Sequence, residues 1–221
     1  ESLFSYIPGL KVVMPATAAD CKGMLLSAIE DNNPVIFLEH RWVHYVKGIV
    51  PEGYVKADIS GPSQVHVGNS VTVVASSYMV LEALHAAHVL GEVGCDVDLF
   101  NLRVLRPLNL DAVYASVNRT GCLLVVDTGW ETLGPGAEII ARVSERCFQM
   151  MKKPPRRIGL PDHPTPSSKS LAAVYYPRAE NIADVICELS DVPSGVHKHV
   201  LKRLSVERQT YPIDVPHPTF Q

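Results

Sequence analysis

Residues 122–145 read CLLVVDTGWETLGPGAEIIARVSE. Leu123-Leu124-Val125-Val126 is a short unbroken apolar run, which fits a strand covered on both faces. Asp127 is expected to close that strand, with Thr128-Gly129-Trp130 turning the chain out of it. Gly134-Pro135-Gly136 then opens a helix, with Pro135 in the first turn, where its missing N–H costs little, and Glu138 complementing the helix dipole.

Working outward, the same alternation recurs. Toward the N-terminus, Val71–Ala75 is a buried strand, and a helix follows with Val80, Ala83, Leu84, Ala87 and Leu90 on its inner face and Gly91 and Gly94 at its end. Val97–Leu99 is the next strand, residues 102–108 a connection, and a short helix starts near Asn109. Beyond residue 145, Arg156–Leu160 is a strand and Ala179–Leu189 a closing helix. Strands alternating with helices predict an α/β sheet with helices on both faces.

The first block has its own strand, helix and strand. Lys11–Met14 is followed by a helix with Thr17 and Asp20 in a weak capping pattern and with Cys21, Met24, Leu25 and Ala28 on one face. Asp31-Asn32-Asn33-Pro34 ends the helix, since the residue before a proline is pushed out of the helical region. Val35–Leu38 then reads as a buried strand. One such unit is too little to fold alone, and the chain starts at Glu1 rather than Met, so the beginning of this domain is expected upstream. Between Tyr45 and Gly68 periodicity stops amid Gly48, Pro51, Gly53, Gly61 and Pro62, which reads as a linker. After Asp191 the tail mixes prolines, histidines and basic residues, with a short helix at most around residues 196–204. It reads either as a solvated or wrapped-over tail or as a partner-binding arm.

Composition narrows the function. The 221 residues are 47% hydrophobic with a net charge of −3, which favours neither nucleic acid nor an anionic membrane as partner. No apolar run approaches the roughly 20 residues that span a bilayer. Five scattered cysteines without a C-x-x-C pair suggest reduced thiols in a cytoplasmic setting.

Motif chemistry is sparse. The dinucleotide fingerprint needs a third glycine where Ile139 stands, and Glu138 would repel a phosphate at this helix terminus. There is no Gly-Lys-Ser/Thr loop and no G-x-S-x-G elbow. The pairs His85/His88 and His197/His199 lack supporting ligands at zinc spacing. His163, in the stiff segment Pro161-Asp162-His163-Pro164-Thr165-Pro166, is the histidine to watch.

Five segments carry a resemblance: Ile7–Val13, Cys21–Pro34, Leu102-Arg103 with Leu105–Leu108, Val126–Trp130, and Gly136–Ile139. In this order, from about Ile7 to Leu189, the chain resembles the transketolase-like, thiamine-diphosphate-dependent enzymes, in particular 2-oxoacid dehydrogenase β subunits such as that of pyruvate dehydrogenase. The resemblance implies that residues 1–46 are the last βαβ unit of a pyrimidine-binding domain and 47–64 a linker. Residues 65–190 would then be a three-layer α/β/α transketolase C-terminal domain with a mostly parallel five-stranded sheet, and 191–221 a tail. It implies decarboxylation of a 2-oxoacid followed by acyl transfer to lipoyl groups, with thiamine diphosphate and Mg²⁺ held outside this chain. The glutamate that engages the cofactor's pyrimidine would lie upstream. The chain would then contain no catalytic or cofactor-binding residue and be inactive alone. Its implied partners are an α subunit or the upstream domain, a second copy through the C-terminal domain, and a dihydrolipoyl acyltransferase core. The family also implies a K⁺ site at Ala28, Ile29, Asp31 and Asn33, for which a plain helix-stop turn is the alternative. Asn101, Asn109, Thr128 and Gly61-Pro62-Ser63 depart from the family pattern. They leave room for a stand-alone transketolase-like enzyme acting on ketoses or acyloins, or for a non-catalytic interaction module.

Overall fold

In the computed structural model, which describes residues 1–212, 215 and 216, the unbroken apolar runs become the centre of a five-stranded sheet. β4 (Val71–Ala75) and β7 (Leu123–Trp130) run parallel side by side, with β5 (Val97–Asn101) parallel beyond β4 and β8 (Arg156–Leu160) parallel beyond β7. β3 (Ser63–His66) pairs antiparallel along the outer side of β5. Every residue of β4 and β5 is buried, as strands covered on both faces require.

The pleat divides the core in two. Val73, Ala75, Leu124 and Val126 face a layer made by α3 (Tyr78–Gly91), α7 (Ala179–Leu189) and α8 (Ser194–Arg208). Val74, Leu123 and Val125 face the other layer, α4 (Asp111–Thr120) and α5 (Pro135–Cys147), through Val113, Val117, Ile139 and Val143. The expected three-layer α/β/α architecture is present. α3 differs from expectation in being buried on nearly every side, Glu82 and His85 included, because α7 and α8 cover the face that would otherwise meet water.

The first block opens with a single helical turn, α1 (Ser2–Ser5). After it β1 (Lys11–Val13) and β2 (Val35–Phe37) are parallel, joined by α2 (Ala18–Ile29). The Thr17 hydroxyl accepts from the Asp20 amide at 3.1 Å, the cap anticipated from the sequence. Two expectations are corrected here. β2 is only half-buried, because it forms the edge of its sheet. Leu25 of α2 remains 43% exposed, and of the expected apolar face only Met24 is fully covered.

Residues 102–108, expected to be a mere connection, contain β6 (Val104–Arg106), which pairs antiparallel with β1. A strand leaving the main sheet thus completes the small one. The junction is reinforced at the first turn of α2, where Asp20 accepts from Asn101 Nδ2 and Arg103 Nη1, each at 2.9 Å. Asn101, one of the family departures, is therefore a buried tie between the two sheets.

β3 starts inside the stretch read as linker, and its turn into β4 passes through Gly68. A Cβ there would lie 2.5 Å from the Asp96 carbonyl carbon and oxygen. Backbone cannot yield as a side-chain tip can, so Gly68→Ala is expected to destabilise by about 3 kcal/mol, the top of the usual overpacking range; chemical denaturation measures it.

The tail opens with a longer helix than the sequence pattern suggested. α8 is a 15-residue helix whose Val200 and Leu204 are fully buried against the main core. It is an integral part of a helix layer rather than a solvated arm. A short helix, α6 (Lys169–Tyr175), was not anticipated.

Candidate functional site

In an open parallel sheet, ligands bind beyond the carboxyl ends of the strands where the strand order reverses. Here that point lies between β4, which leads through α3 to β5, and β7 on its other side. Ser76, Ser77, Asp127, Thr128 and the N-terminus of α5 meet there.

Asp127, expected to close its strand, instead lies within it, and β7 continues to Trp130. Pairing with β8 resumes after an irregularity at Trp130↔Leu160, and the Glu131 amide donates to the Leu160 carbonyl at 3.1 Å. Asp127 consequently points its carboxylate into the switch point from within the strand. Its Oδ2 accepts from the Gly136 amide at 3.2 Å, and Oδ1 from the Gly129 amide and the Ser76 hydroxyl, both at 3.3 Å. The Gly136 N–H, which an anionic ligand would use at the start of α5, is thus held by the chain's own carboxylate. Burial pushes the Asp127 carboxyl up, while these donors offset part of that rise. Glu1, whose carboxylate reaches toward Gly129, is raised in the same way, by burial first and by Asp127 second.

The glycines of this turn serve packing. A Cβ on Gly134 would meet the Trp130 carbonyl oxygen at 2.5 Å. The remaining void, lined by Asp127, Trp130, Gly134 and Gly136, is about 10 Å³, room for no more than one water. A diphosphate does not fit here. Glu138, to which the sequence assigned the repulsion of an anion, lies half-exposed and paired with Arg142 at 2.6 Å, and it is Asp127 that fills the site.

Ser77 occupies the sharp turn from β4 into α3 at φ 49° and ψ −131°, a strained strand-to-helix corner like those that present nucleophiles. Its hydroxyl is fully buried and, among the described residues, has no hydrogen-bond partner, so no substrate reaches it and no histidine activates it.

A second buried polar group lies at the junction. Glu82 of α3 is completely buried, with Oε1 3.1 Å from Arg178 Nη2 and Oε2 accepting from the Ala179 amide at 2.9 Å. The Arg178 guanidinium lies over the Trp42 ring, 5.0 Å from its centroid. No sequence signal marked this pair, because its members are nearly a hundred residues apart in contexts of ordinary helix composition.

The family's K⁺ residues fall where α2 stops. Ala28 and Ile29 close the helix, whose last carbonyls have no intrahelical partner. Asp31 is already engaged: Oδ2 by the Lys11 ammonium and Oδ1 by the Asn33 amide and side chain, both at 2.8 Å. Lys11 and Asn33 together hold the Asp31 carboxyl at about 2. The carbonyls suit a hard cation, but the carboxylate is neutralised by lysine.

Among the described residues the histidines do not converge on one site. His85 is buried and bonded to Glu207 at 2.6 Å, His88 faces Glu92, and His197 bonds Asp184 at 2.7 Å. His163 contributes its carbonyl, which accepts from Trp130 Nε1 at 3.2 Å and from the Tyr175 hydroxyl at 2.9 Å. Among the described residues no group of three or more acidic, histidine or cysteine side chains could hold a metal ion, and the five cysteines are free.

Two family models match this chain in order: the transketolase pyrimidine-binding domain over residues 1–43, and the transketolase C-terminal domain over residues 63–182. The chain is 40% identical over 181 residues to the β subunit of acetoin:2,6-dichlorophenolindophenol oxidoreductase from Cupriavidus necator, covering 82% of this chain and 54% of that one. It is 38% identical over 184 residues to the mitochondrial pyruvate dehydrogenase E1 component subunit beta of Mus musculus, covering 81% of this chain and 51% of that one. It thus spans about half the length of the curated relatives it matches. Among solved structures, one described as a split gene transketolase, inactive beta4 tetramer, superposes with a TM-score of 0.70 at 21% identity. That match covers 86% of this chain and 61% of that one. With the C-terminal domain model matched over more than half its residues and the pyrimidine-binding model matched before it, the chain belongs to the transketolase family.

Proposed function

We propose that this chain is the C-terminal portion of the β subunit of a thiamine-diphosphate-dependent 2-oxoacid dehydrogenase of the pyruvate dehydrogenase kind, serving assembly and docking while catalysis resides elsewhere. The observation that carries this reading is the filled switch point. In a chain whose relatives bear the names of dehydrogenase β subunits, the strand-order reversal of the main sheet, where such folds take a diphosphate, is occupied by Asp127. Residues 1–46 belong to a pyrimidine-binding domain, the stretch from 47 to the start of β3 links it, and β3 onward forms the C-terminal domain, with α8 closing its helix layer. The bound cofactor would supply carbanion stabilisation, with Mg²⁺ on its diphosphate, at groups outside these residues. The chain's own contribution is rigid support through β6 and the Asp20 tie, contacts to a second copy, and surfaces for an α subunit and a dihydrolipoyl acyltransferase core. A cytoplasmic, reducing location is supported by the free thiols.

Calorimetric titration of thiamine diphosphate with Mg²⁺ into the chain tests this. No binding heat is expected, and tight binding would sink the proposal. A second reading, cleavage of an acyloin rather than a 2-oxoacid, is favoured by the two relatives named for acetoin, at 40% and 37% identity.

K⁺ at Ala28, Ile29, Asp31 and Asn33 belongs to the same proposal. Binding requires Lys11 to release Asp31, so the ammonium and the ion compete. Lys11→Met is expected to raise the extra thermal stability gained in KCl over NaCl, and an unchanged difference removes the site.

A further inference from the structure

Three parts of the chain meet at Arg178. From the first block, Trp42 packs its ring 4.6 Å from Tyr78 of α3 and 4.7 Å from Tyr176, with the Arg178 guanidinium over its face. From the main domain comes the buried Glu82 carboxylate. The third side is closed by the segment after α8: the Tyr211 ring lies 5.6 Å from the guanidinium carbon, and Arg178 Nη2 donates to the Val215 carbonyl at 2.5 Å.

The route of the chain to this point is built by its own residues. Glu207 bonds His85 of α3 at 2.6 Å, and Arg203 Nη2 donates to Glu92 at 3.1 Å, so the last turns of α8 are pinned. Arg208 then donates to the Tyr211 carbonyl at 3.0 Å and lies over the Tyr211 ring at 4.9 Å, which turns the chain back across Arg178. Tyr211 and Pro216 are buried in this arrangement. The family match to the C-terminal domain ends at residue 182, so α8 and this segment lie beyond it.

We propose that the segment after α8, residues 210–212 with Val215 and Pro216, is a latch that closes over Arg178 and holds the first block, through Trp42, against the C-terminal domain. Its grip is distinct from that of α8. The helix buries Val200 and Leu204 in the main core, whereas the segment is held through Arg178, by ring–guanidinium contact, by the Val215 carbonyl and by the Tyr211 side chain. These contacts converge on one side chain, so the segment is separable from the fold beneath it. A partner that captured it would loosen the junction without unfolding the sheet.

The test uses Trp130→Phe as background, leaving Trp42 as the sole tryptophan. Residues 210–221 are deleted in one variant, and Tyr211→Ala is made in the full chain as another. Acrylamide quenching of Trp42 is expected to rise several-fold on deletion and by less for Tyr211→Ala. Amide exchange should quicken across residues 40–46 while β4 and β7 keep their protection. Unchanged quenching in both variants overturns the latch. So does a deletion that strips protection from β4 and β7 together with an unaffected Tyr211→Ala, since the segment would then be part of the core. If the deletion unfolds the sheet but Tyr211→Ala raises quenching with the sheet intact, the point variant carries the proposal.

Discussion

Arg178→Ala is expected to lower stability by about 3–5 kcal/mol, the range for breaking a buried ion pair by removing one partner. The size follows from what is left behind. Glu82 is fully buried, and among the described residues the Ala179 amide and the more distant Arg208 charge are what remain to oppose its burial without the guanidinium. Burial already pushes the Glu82 carboxyl up, with Arg178 and that amide offsetting part of the rise. Removing the arginine raises it further. A folded-state carboxyl raised above its unfolded value holds its proton where the unfolded chain has released it, so stability falls as pH rises through that interval. The loss from Arg178→Ala is therefore expected to be larger at pH 7 than at pH 5. Combining it with Glu82→Gln should recover much of the loss, because the uncompensated charge is then gone. Urea unfolding at the two pH values measures all three quantities; a pH-independent loss would mean that Glu82 is not the group left stranded.

Asp127→Ala carries the second large effect. It strips acceptors from the Gly136 and Gly129 amides and from the Ser76 hydroxyl in a void too small to admit more than one water. Each buried donor left unmade costs about 1–3 kcal/mol, and a single water can restore part, so a net loss of about 3 kcal/mol is expected. Asp127→Asn keeps an acceptor oxygen and should lose about a third as much, which separates lost hydrogen bonding from lost charge. Equal losses in the two variants would assign the effect to charge instead.

The parts of this protein that were legible before its structure are those written in local pattern. Val71–Ala75 and Leu123–Val126 are too apolar and too short for anything but covered strands, and Thr17, Pro34 and Pro135 punctuate helices by their own backbone chemistry. The misses have a common cause in tertiary context. Val104–Arg106 is three residues long beside a proline, and only β1, ninety residues earlier in the chain, makes it a strand. α8 carries its apolar residues at Val196, Val200, Leu201 and Leu204, a helical spacing, but histidines and lysines between them obscured a face that α3 and α7 bury. At the candidate site the glycine spacing and Glu138 argued against an anion, whereas the carboxylate that occupies the start of α5 is Asp127. Which carboxylate reaches the start of α5 depends on β7 continuing past Asp127, and that depends on pairing with β8.

The claim on which the functional reading rests is that α5 begins on an occupied anion site. Isothermal titration of inorganic pyrophosphate into the wild-type chain and into Asp127→Ala addresses it. No binding is expected to either, since the space about Asp127 holds no more than one water and removing one carboxylate does not make room for a diphosphate. Binding to the wild type would contradict the filled site, and with it the proposal that the diphosphate is held elsewhere.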